Sequence, residues 1–461
     1  MAEAPVVVIL AAGLGTRMKS RKAKVLHRAG GRTLVEHVVT TVLNLTTRDR
    51  VFAVIGHQAA EVRRSLEPFG IGFIEQAEQR GTGHALQVGR EALAHLGGPL
   101  VVLYGDCPLI SAATLRRLID TQTASGAAAT VITTALEDPT GDGRVVRDAH
   151  GNVAAIVEQK AAAPEQLAIR EINSGIYCFR PDLLWKHIGE ITPDNPAHEY
   201  YLTDIVGIFH RHGYSVRPME IPDPAEVLGI NNRVELAAVD RLVRERTARR
   251  LMLEGVTIEK PETVTIDAQV RIGTDTVVEP FAQILGETVI GEDCRIGAGA
   301  IVTDSQLGDG VEVGPYTIIG TSRVAAGARI GPFARLRLDN DVAAGAQVGN
   351  FVELKKTRLG AGAKALHLAY LGDAIIGESV NIGAGTITCN YDGRKKHPTV
   401  IGDGAFVGSN STLVAPLEIG AGAYTAAGSV ITDPVPPDAL GLGRARQVNK
   451  EGWARRRREG E

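Results

Sequence analysis

A beat of aliphatic residues constrains this chain more than any other feature. Ile330, Leu336, Val342, Val348 and Leu354 fall six residues apart. Val278, Ile284, Ile290, Ile296 and Val302 keep the same interval, as do Ile401, Val407, Leu413 and Ile419. An amphipathic helix repeats near 3.6 and a half-buried strand at 2, so neither fits. Six is the period of a hexapeptide parallel β-helix, in which each hexad supplies one short strand and one corner. Roughly three hexads close a triangular coil whose strands stack roughly 4.8 Å apart. Corners such as Ile296-Gly297-Ala298-Gly299-Ala300 and Ile382-Gly383-Ala384-Gly385-Thr386 are filled by small residues, as tight turns require. A Gly/Ala-rich linker would carry no such beat. The beat slips twice. Between Leu354 and Ile376 it loses register, so Gly360 to Asp373, carrying His367 and Tyr370, reads as a loop bulging from the coil. It slips again around Asn390-Tyr391-Asp392 and Arg394-Lys395-Lys396-His397. Loops on a rigid scaffold commonly carry chemistry.

The N-terminal half follows another grammar. Val6-Val7-Val8-Ile9-Leu10 is a continuous aliphatic run, the mark of a strand buried on both faces. Val51-Phe52-Ala53-Val54-Ile55, Leu100-Val101-Val102-Leu103-Tyr104 and Thr130-Val131-Ile132 read as further strands, with helical stretches such as Leu34 to Leu43 and Gly83 to Leu96 between them. This alternation predicts a doubly wound, Rossmann-like α/β domain with ligands over the carboxyl ends of its strands. At the end of the first strand, Ala11-Ala12-Gly13-Leu14-Gly15-Thr16-Arg17-Met18 is a Gly-rich turn that lets backbone N–H groups approach phosphate, with Arg17 and Lys24 adding charge. A Gly-rich turn alone is weak evidence, since many βα turns need Gly. Asp106 ends another strand. It reads either as a helix N-cap or as a ligand for Mg²⁺ facing a triphosphate.

Arg233 to Leu253 carries Leu236, Val239 and Val243 on one helical face and reads as a connecting helix. The predicted division is 1–232, a linker helix at 233–254, and the coil at 255–461 with a basic tail. With 50 Lys and Arg against 53 Asp and Glu, the net charge of −3 does not ask for nucleic acid. The basic run Arg455 to Arg458 reads as a solvated end. Cys107, Cys178, Cys294 and Cys389 show no ligand or disulfide spacing, which predicts reduced cysteines in a cytoplasmic protein. No run is long enough for membrane insertion, and Val6 to Ala12 lacks a basic leader.

Specific motifs sharpen the reading. Leu10-Ala11-Ala12-Gly13, Gly15-Thr16-Arg17-Met18, Lys24-Val25-Leu26, Gln76-Ala77-Glu78-Gln79, Gly81-Thr82-Gly83-His84-Ala85 and Tyr104-Gly105-Asp106 resemble the sugar-nucleotide pyrophosphorylases. With the hexads attached, nearly the whole chain resembles the bacterial bifunctional N-acetylglucosamine-1-phosphate uridylyltransferase/glucosamine-1-phosphate acetyltransferase family. The resemblance implies that Leu10, Ala11, Ala12 and Gly13 hold the uracil and ribose side of UTP, and that Gln76, Gly81 and Thr82 read uracil. Tyr104 and Gly105 adjoin that pocket. Arg17 and Lys24 hold the phosphates, and with His367 they are the catalytic candidates. Asp106 and Asn231 hold Mg²⁺, while Gly143, Glu158 and Asn173 meet the N-acetyl sugar.

In the coil, Gly331 to Arg337, Gly349 to Lys356, His367 to Asp373 and Asn381 to Gly393 resemble the acetyltransferase half of the same family. The resemblance implies that His367 takes a proton from the attacking 2-amino group. An imidazole suits that work because it titrates near neutral pH. Arg337 and Lys355 would hold the sugar phosphate, Tyr370, Asn381, Asn390 and Tyr391 would shape the sugar pocket, and Ala384, Ser409, Ala427 and Arg444 would line the acetyl-CoA side. Several positions depart from the family pattern: Ala23 stands where proline is usual, Asp142 replaces an aromatic, Leu366 replaces a small residue, Ala369 replaces threonine and Leu338-Asp339 replaces a Pro-Gly corner. The first predicts a looser phosphate loop.

The implied enzyme makes UDP-N-acetylglucosamine for cell-wall precursors in two steps, acetyl transfer first, and assembles as a homotrimer around the coil. Two other readings compete. One is a single-activity pyrophosphorylase whose coil is structural or regulatory, and the other is a non-enzymatic scaffold.

Overall fold

The computed structural model describes residues 3–460. The chain divides into two compact units, Met1–Val243 and Arg244–Glu461, and the boundary falls inside the helix Arg233–Leu253.

In the first unit a mixed sheet runs in the order Val216–Glu220, Ala129–Ala135, Glu171–Phe179, Leu100–Tyr104, Val6–Leu10, Val51–Ile55, Gly72–Glu75. Val6–Leu10 lies in the middle, parallel to both neighbours and buried along its whole length. Its side chains alternate between two cores: Val6, Val8 and Leu10 enter one, Val7 and Ile9 the other. The sheet is not wholly parallel, because Glu171–Phe179 runs antiparallel to both of its neighbours. No periodicity in the sequence distinguishes such a strand from a parallel one, since both are buried on two faces. Loops at the carboxyl ends of the central strands, after Leu10 and Tyr104, converge on one cavity.

The second unit is a left-handed parallel β-helix of hexapeptide repeats. Among the described residues its three sheets have 11, 10 and 9 strands. Neighbouring coils pair Ile330 with Val348 and Leu336 with Leu354, so the sequence beat becomes an inward stack. Ile330, Leu336, Val342, Val348 and Leu354 are all buried in one continuous core. Each such side chain contributes about 1.5–3 kcal/mol by leaving water.

Gly360 to Asp373 corrects the sequence reading. The segment does not bulge from the coil: Lys364–His367 and Tyr370–Gly372 are coil strands, paired with Gln347–Asn350 and Glu353–Lys355. The beat continues through Leu359, Ala365, Leu371 and Ile376, all buried. It was obscured because some corners are one residue short and because alanine fills one inward position. The second slip is a true excursion. Ile375 pairs with Val400 across 25 residues, whereas Gln347 pairs with Lys364 across 17. The additional chain leaves the coil near Asn390 and returns near Thr399, closed by a bridge between Tyr391 and Lys396.

Candidate active sites

The cavity in the first unit has a volume of about 360 Å³. Leu10, Ala11, Ala12, Gly13, Lys24, Gln76, Gly81, Thr82, Tyr104 and Asp106 line it, together with Gln79 and Glu199. Gly81 shows why this wall needs glycine. It has φ +112°, and a Cβ there would lie 2.6 Å from the Tyr200 carbonyl oxygen. Its carbonyl accepts from Gln76 Nε2 at 3.1 Å, and the same amide lies 3.0 Å from His84 Nδ1. Gln76 is therefore buried and fixed.

The polar end of the cavity is a charged cluster. The Lys24 ammonium contacts the Asp106 carboxylate and lies 3.3 Å from Asn231 Oδ1. Arg17, which is exposed and outside the cavity wall, donates to the same Asn231 oxygen at 2.9 Å. Residues more than 200 positions apart thus meet at one point. Asn231 is held by its backbone N–H, which donates to Glu235 Oε2 at 2.6 Å, and the Ile230 N–H reaches the Asp106 carbonyl. A cation already lies between the Asp106 and Asn231 oxygens in the form of the lysine head. This hard, all-oxygen pair suits a magnesium ion that takes its remaining ligands from water and phosphate.

A third group lies beside Tyr104. The Asn173 side-chain oxygen accepts from Tyr177 Oη at 3.0 Å, and the Asn173 N–H donates to the Gly143 carbonyl at 2.9 Å. A Cβ on Gly143 would stand 3.5 Å from Glu158 Oε1, and one on Gly175 would collide with the Tyr104 ring. Burial pushes the Glu158 carboxyl above its ordinary pKa, partly opposed by the hydrogen bond from Thr203 at 3.4 Å. Burial likewise raises the Tyr104 phenol, with Glu158 and Asp106 adding to it. Gly105 adjoins the cavity wall, its N–H donating to the Leu10 carbonyl at 3.0 Å.

Ala23 does not leave its loop slack. Its N–H donates to Gln58 Oε1 at 2.7 Å, a bond that proline could not make. Glu199 and Gln58 both come from distant segments and carry no local signal by which sequence reasoning could have found them.

In the coil the predicted residues fall into two groups. His367, Ala384, Ser409 and Ala427 lie along one corner, where successive coils are joined by Gly385 N to His367 O, Asn410 N to Ala384 O and Gly428 N to Ser409 O. His367 ends its strand and is exposed, with Nδ1 3.1 Å from Asn350 Oδ1. An amide oxygen only accepts, so a neutral ring in this contact would carry its hydrogen on Nδ1 and leave Nε2 as the acceptor.

The second group is Lys355, Tyr370 and Asn390, gathered by Asp373. Lys355 is buried and pairs with Asp373 at 3.2 Å, and the Asn390 amide donates to the same carboxylate. Tyr370 Oη and Asn390 Nδ2 both lean over Gly372, where a Cβ would collide with the phenol. Lys396, on the excursion, reaches Lys355. Their hydrogen bond and Asp373 hold Lys355 above its ordinary pKa, while the same contact lowers Lys396. Two lysines this close resist being charged together, and an anion between them would relieve that repulsion. Arg337 is exposed and paired with Glu353 at 3.0 Å. Asn381 lies between Lys364 and Phe406 in the strand ladder. Tyr391 is exposed, its hydroxyl on the Gly393 carbonyl, and Arg444 is exposed beyond the last coil strand. Asp373, Asn350 and Lys396 are the functional candidates that the hexad pattern did not single out for these roles.

In one further cluster the Glu190 carboxylate accepts from the His187 and His212 imidazoles at 2.5 and 3.0 Å, while the other ring nitrogen of the buried His187, Nε2, has no partner.

Comparisons with known proteins agree with this two-part layout. Residues 7–254 match the MobA-like NTP transferase domain. Residues 269–304 and 398–433 match the bacterial transferase hexapeptide repeats. The chain is 63% identical over 454 residues to the bifunctional protein GlmU of Solibacter usitatus, covering 98% of this chain and 97% of that protein. It is 50% identical to the bifunctional protein GlmU of Koribacter versatilis, covering 98% and 97%. It is 48% identical to that of Shouchella clausii, covering 97% and 98%.

Proposed function

The chain belongs to the family of the bifunctional GlmU proteins, and from that premise we propose that its two units build UDP-N-acetylglucosamine in two steps. The observation that carries the reading is the presence of two separate polar sites on one chain, each matched to one step. In the coil, glucosamine-1-phosphate is acetylated. Lys355 and Lys396 receive its phosphate, with Arg337 nearby in sequence register and Tyr370, Asn381, Asn390 and Tyr391 around the sugar. The 2-amino nitrogen attacks the thioester carbonyl of acetyl-CoA, which lies along the corner of Ala384, Ser409 and Ala427 with Arg444 beyond it. A new C–N bond forms, the C–S bond breaks, and His367 Nε2 takes the proton that the nitrogen sheds. The Asn350 amide keeps the imidazole in the tautomer that this step requires.

In the N-terminal unit, N-acetylglucosamine-1-phosphate reacts with UTP. Its phosphate oxygen attacks the α-phosphorus in line, and the bond to pyrophosphate breaks. Little covalent work falls to the protein, so positioning and charge neutralisation dominate. The Gly13 turn and the Gln76, Gly81 and Thr82 wall bind the nucleoside. Lys24 and Arg17 meet the phosphates, while Gly143, Glu158 and Asn173 take the sugar. Asp106 and Asn231 would hold Mg²⁺, which when bound neutralises charge on the triphosphate. With Asp106 so engaged, the Lys24 ammonium would face the phosphate oxygens.

The protein works as a cytoplasmic homotrimer on small-molecule substrates. Free cysteines support the compartment, and among the described residues no helix is long and apolar enough to cross a membrane. Self-association is supported by exposed aromatics on successive coils: Tyr316, Phe333 and Phe351 stack at 5.4 and 5.6 Å while 60%, 48% and 58% exposed. Such a stripe marks an interface, and a light-scattering mass of one chain would remove it from the account. The function is tested with two substitutions. Asp106→Ala should abolish pyrophosphate release and spare acetyl-CoA consumption, and His367→Ala should do the reverse. A His367→Ala protein that still acetylates at the normal rate would leave a single-activity pyrophosphorylase.

A further inference from the structure

Gln58 occupies the N-cap position of the helix Ala59–Leu66 and yet gives its side chain nothing to cap. Its backbone is left-handed, at φ 51° and ψ 44°, a conformation that costs a residue with a Cβ and persists where the surroundings impose it. The side chain points its hydrogen bonds at another segment. Its oxygen accepts from the Ala23 N–H at 2.7 Å, and its amide nitrogen donates to the Arg21 carbonyl. Only a carboxamide can satisfy both groups at once. Aspartate or glutamate lacks the donor, and asparagine is one methylene shorter.

Lys24 follows Ala23 directly and opens the short helical turn Lys24–Leu26. Three things fix the lysine. Its head sits between Asp106 and Asn231. Its stem packs on Gly15, where a Cβ would come within 2.6 Å of the Lys24 Cβ. Its backbone is set by Ala23, which is buried. The same Gly56–Gln58 segment also reaches the Gly-rich turn, the His57 N–H donating to the Ala12 carbonyl at 3.2 Å. One segment therefore holds both phosphate-facing loops in register.

We propose that Gln58 is a positioning residue for uridylyl transfer: it clamps residues 21–23 so that the Lys24 ammonium is delivered to the phosphates. This rests on the reading of Lys24 given above. Misplacing such a group by about 1 Å costs on the order of a hundredfold in rate, and flexible loss of the clamp costs less, on the order of tenfold.

The experiment uses the full-length protein and compares wild type, Lys24→Ala, Gln58→Ala, Ala23→Pro and the double variant Ala23→Pro/Gln58→Ala. Rates of UTP and N-acetylglucosamine-1-phosphate turnover are measured, with acetyl transfer as an internal control for folding. Ala23 has φ −53°, which a proline ring accepts, so Ala23→Pro stiffens the loop without needing Gln58. Gln58→Ala should lower uridylyl kcat/KM on the order of tenfold with acetyl transfer unchanged. Ala23→Pro should restore most of that loss, a rescue that a merely structural role for Gln58 would not produce. Unchanged uridylyl transfer in Gln58→Ala overturns the proposal, and so does a loss that Ala23→Pro fails to mend. If Lys24→Ala itself is as active as wild type, it is the reading of the site that falls, separately from the clamp.

Discussion

Replacing Gly81 with alanine tests how far the nucleotide pocket depends on one backbone position. Gly81 has φ +112° and ψ 173°, a region essentially restricted to glycine, where another residue pays about 1–3 kcal/mol. Its new Cβ would also stand 2.6 Å from Tyr200 O and 2.8 Å from Tyr200 N, both backbone atoms that cannot rotate aside. Those two atoms hold the turn in place: Tyr200 N donates to Arg80 O, and Gly83 N donates to Tyr200 O, each at 2.8 Å. Moving Tyr200 weakens both bonds, at about 1 kcal/mol each. The cost is therefore about 3–5 kcal/mol, concentrated where Gln76 rests on the Gly81 carbonyl. If it is expressed in the transition state for uridylyl transfer, kcat/KM falls by roughly two to four orders of magnitude. The assay is pyrophosphate release from UTP and N-acetylglucosamine-1-phosphate, with acetyl transfer on the same sample as the control. Uridylyl transfer within threefold of wild type, at an unshifted melting temperature, would refute the argument that this close approach shapes the pocket.

Other outcomes follow from the same geometry. Asn350→Ala removes the hydrogen bond that sets the His367 tautomer, worth about 1 kcal/mol or fivefold to tenfold; acetyl-transfer kcat/KM should drop by that factor while uridylyl transfer stays constant. Glu158 carries a pKa raised chiefly by burial. Such a carboxyl favours the folded state while protonated, and that contribution is lost as pH rises through the folded pKa. Glu158→Gln should therefore raise the melting temperature at about pH 7 and have little effect near pH 4, and a lower melting temperature at neutral pH would contradict it. A metal chelator should stop pyrophosphate release and leave acetyl transfer running, with recovery on adding Mg²⁺.

The coil was legible because its core is written as a beat. An inward aliphatic every sixth residue has no other explanation, and Ile330, Leu336, Val342, Val348 and Leu354 all enter the core. The misreading at Gly360 to Asp373 came from the same rule applied rigidly: Leu359 arrives one residue early and Ala365 is small, yet both are buried. Backbone pairing tolerates a coil of 17 residues as readily as one of 18, as the Gln347–Lys364 and Gln347–Arg329 registers show. Local motifs also marked the cavity wall, and Gly81 is there for a backbone reason that leaves a trace in sequence. Tertiary partners leave none. Asp373 beneath Lys355, Gln58 beneath Ala23, and Glu199 in the cavity wall are brought to their places by strands and turns far away in the chain. Nor did the pattern show that Lys24 and Asp106 meet as a pair.

The central claim is that two chemistries reside on this one chain, and a single mixture tests it most directly. Purified protein is given glucosamine-1-phosphate, acetyl-CoA, UTP and Mg²⁺, and the products are followed by mass spectrometry. Free CoA, pyrophosphate and UDP-N-acetylglucosamine are expected in equal amounts, with N-acetylglucosamine-1-phosphate appearing first. Pyrophosphate release that requires pre-acetylated sugar, with no CoA set free, would contradict it.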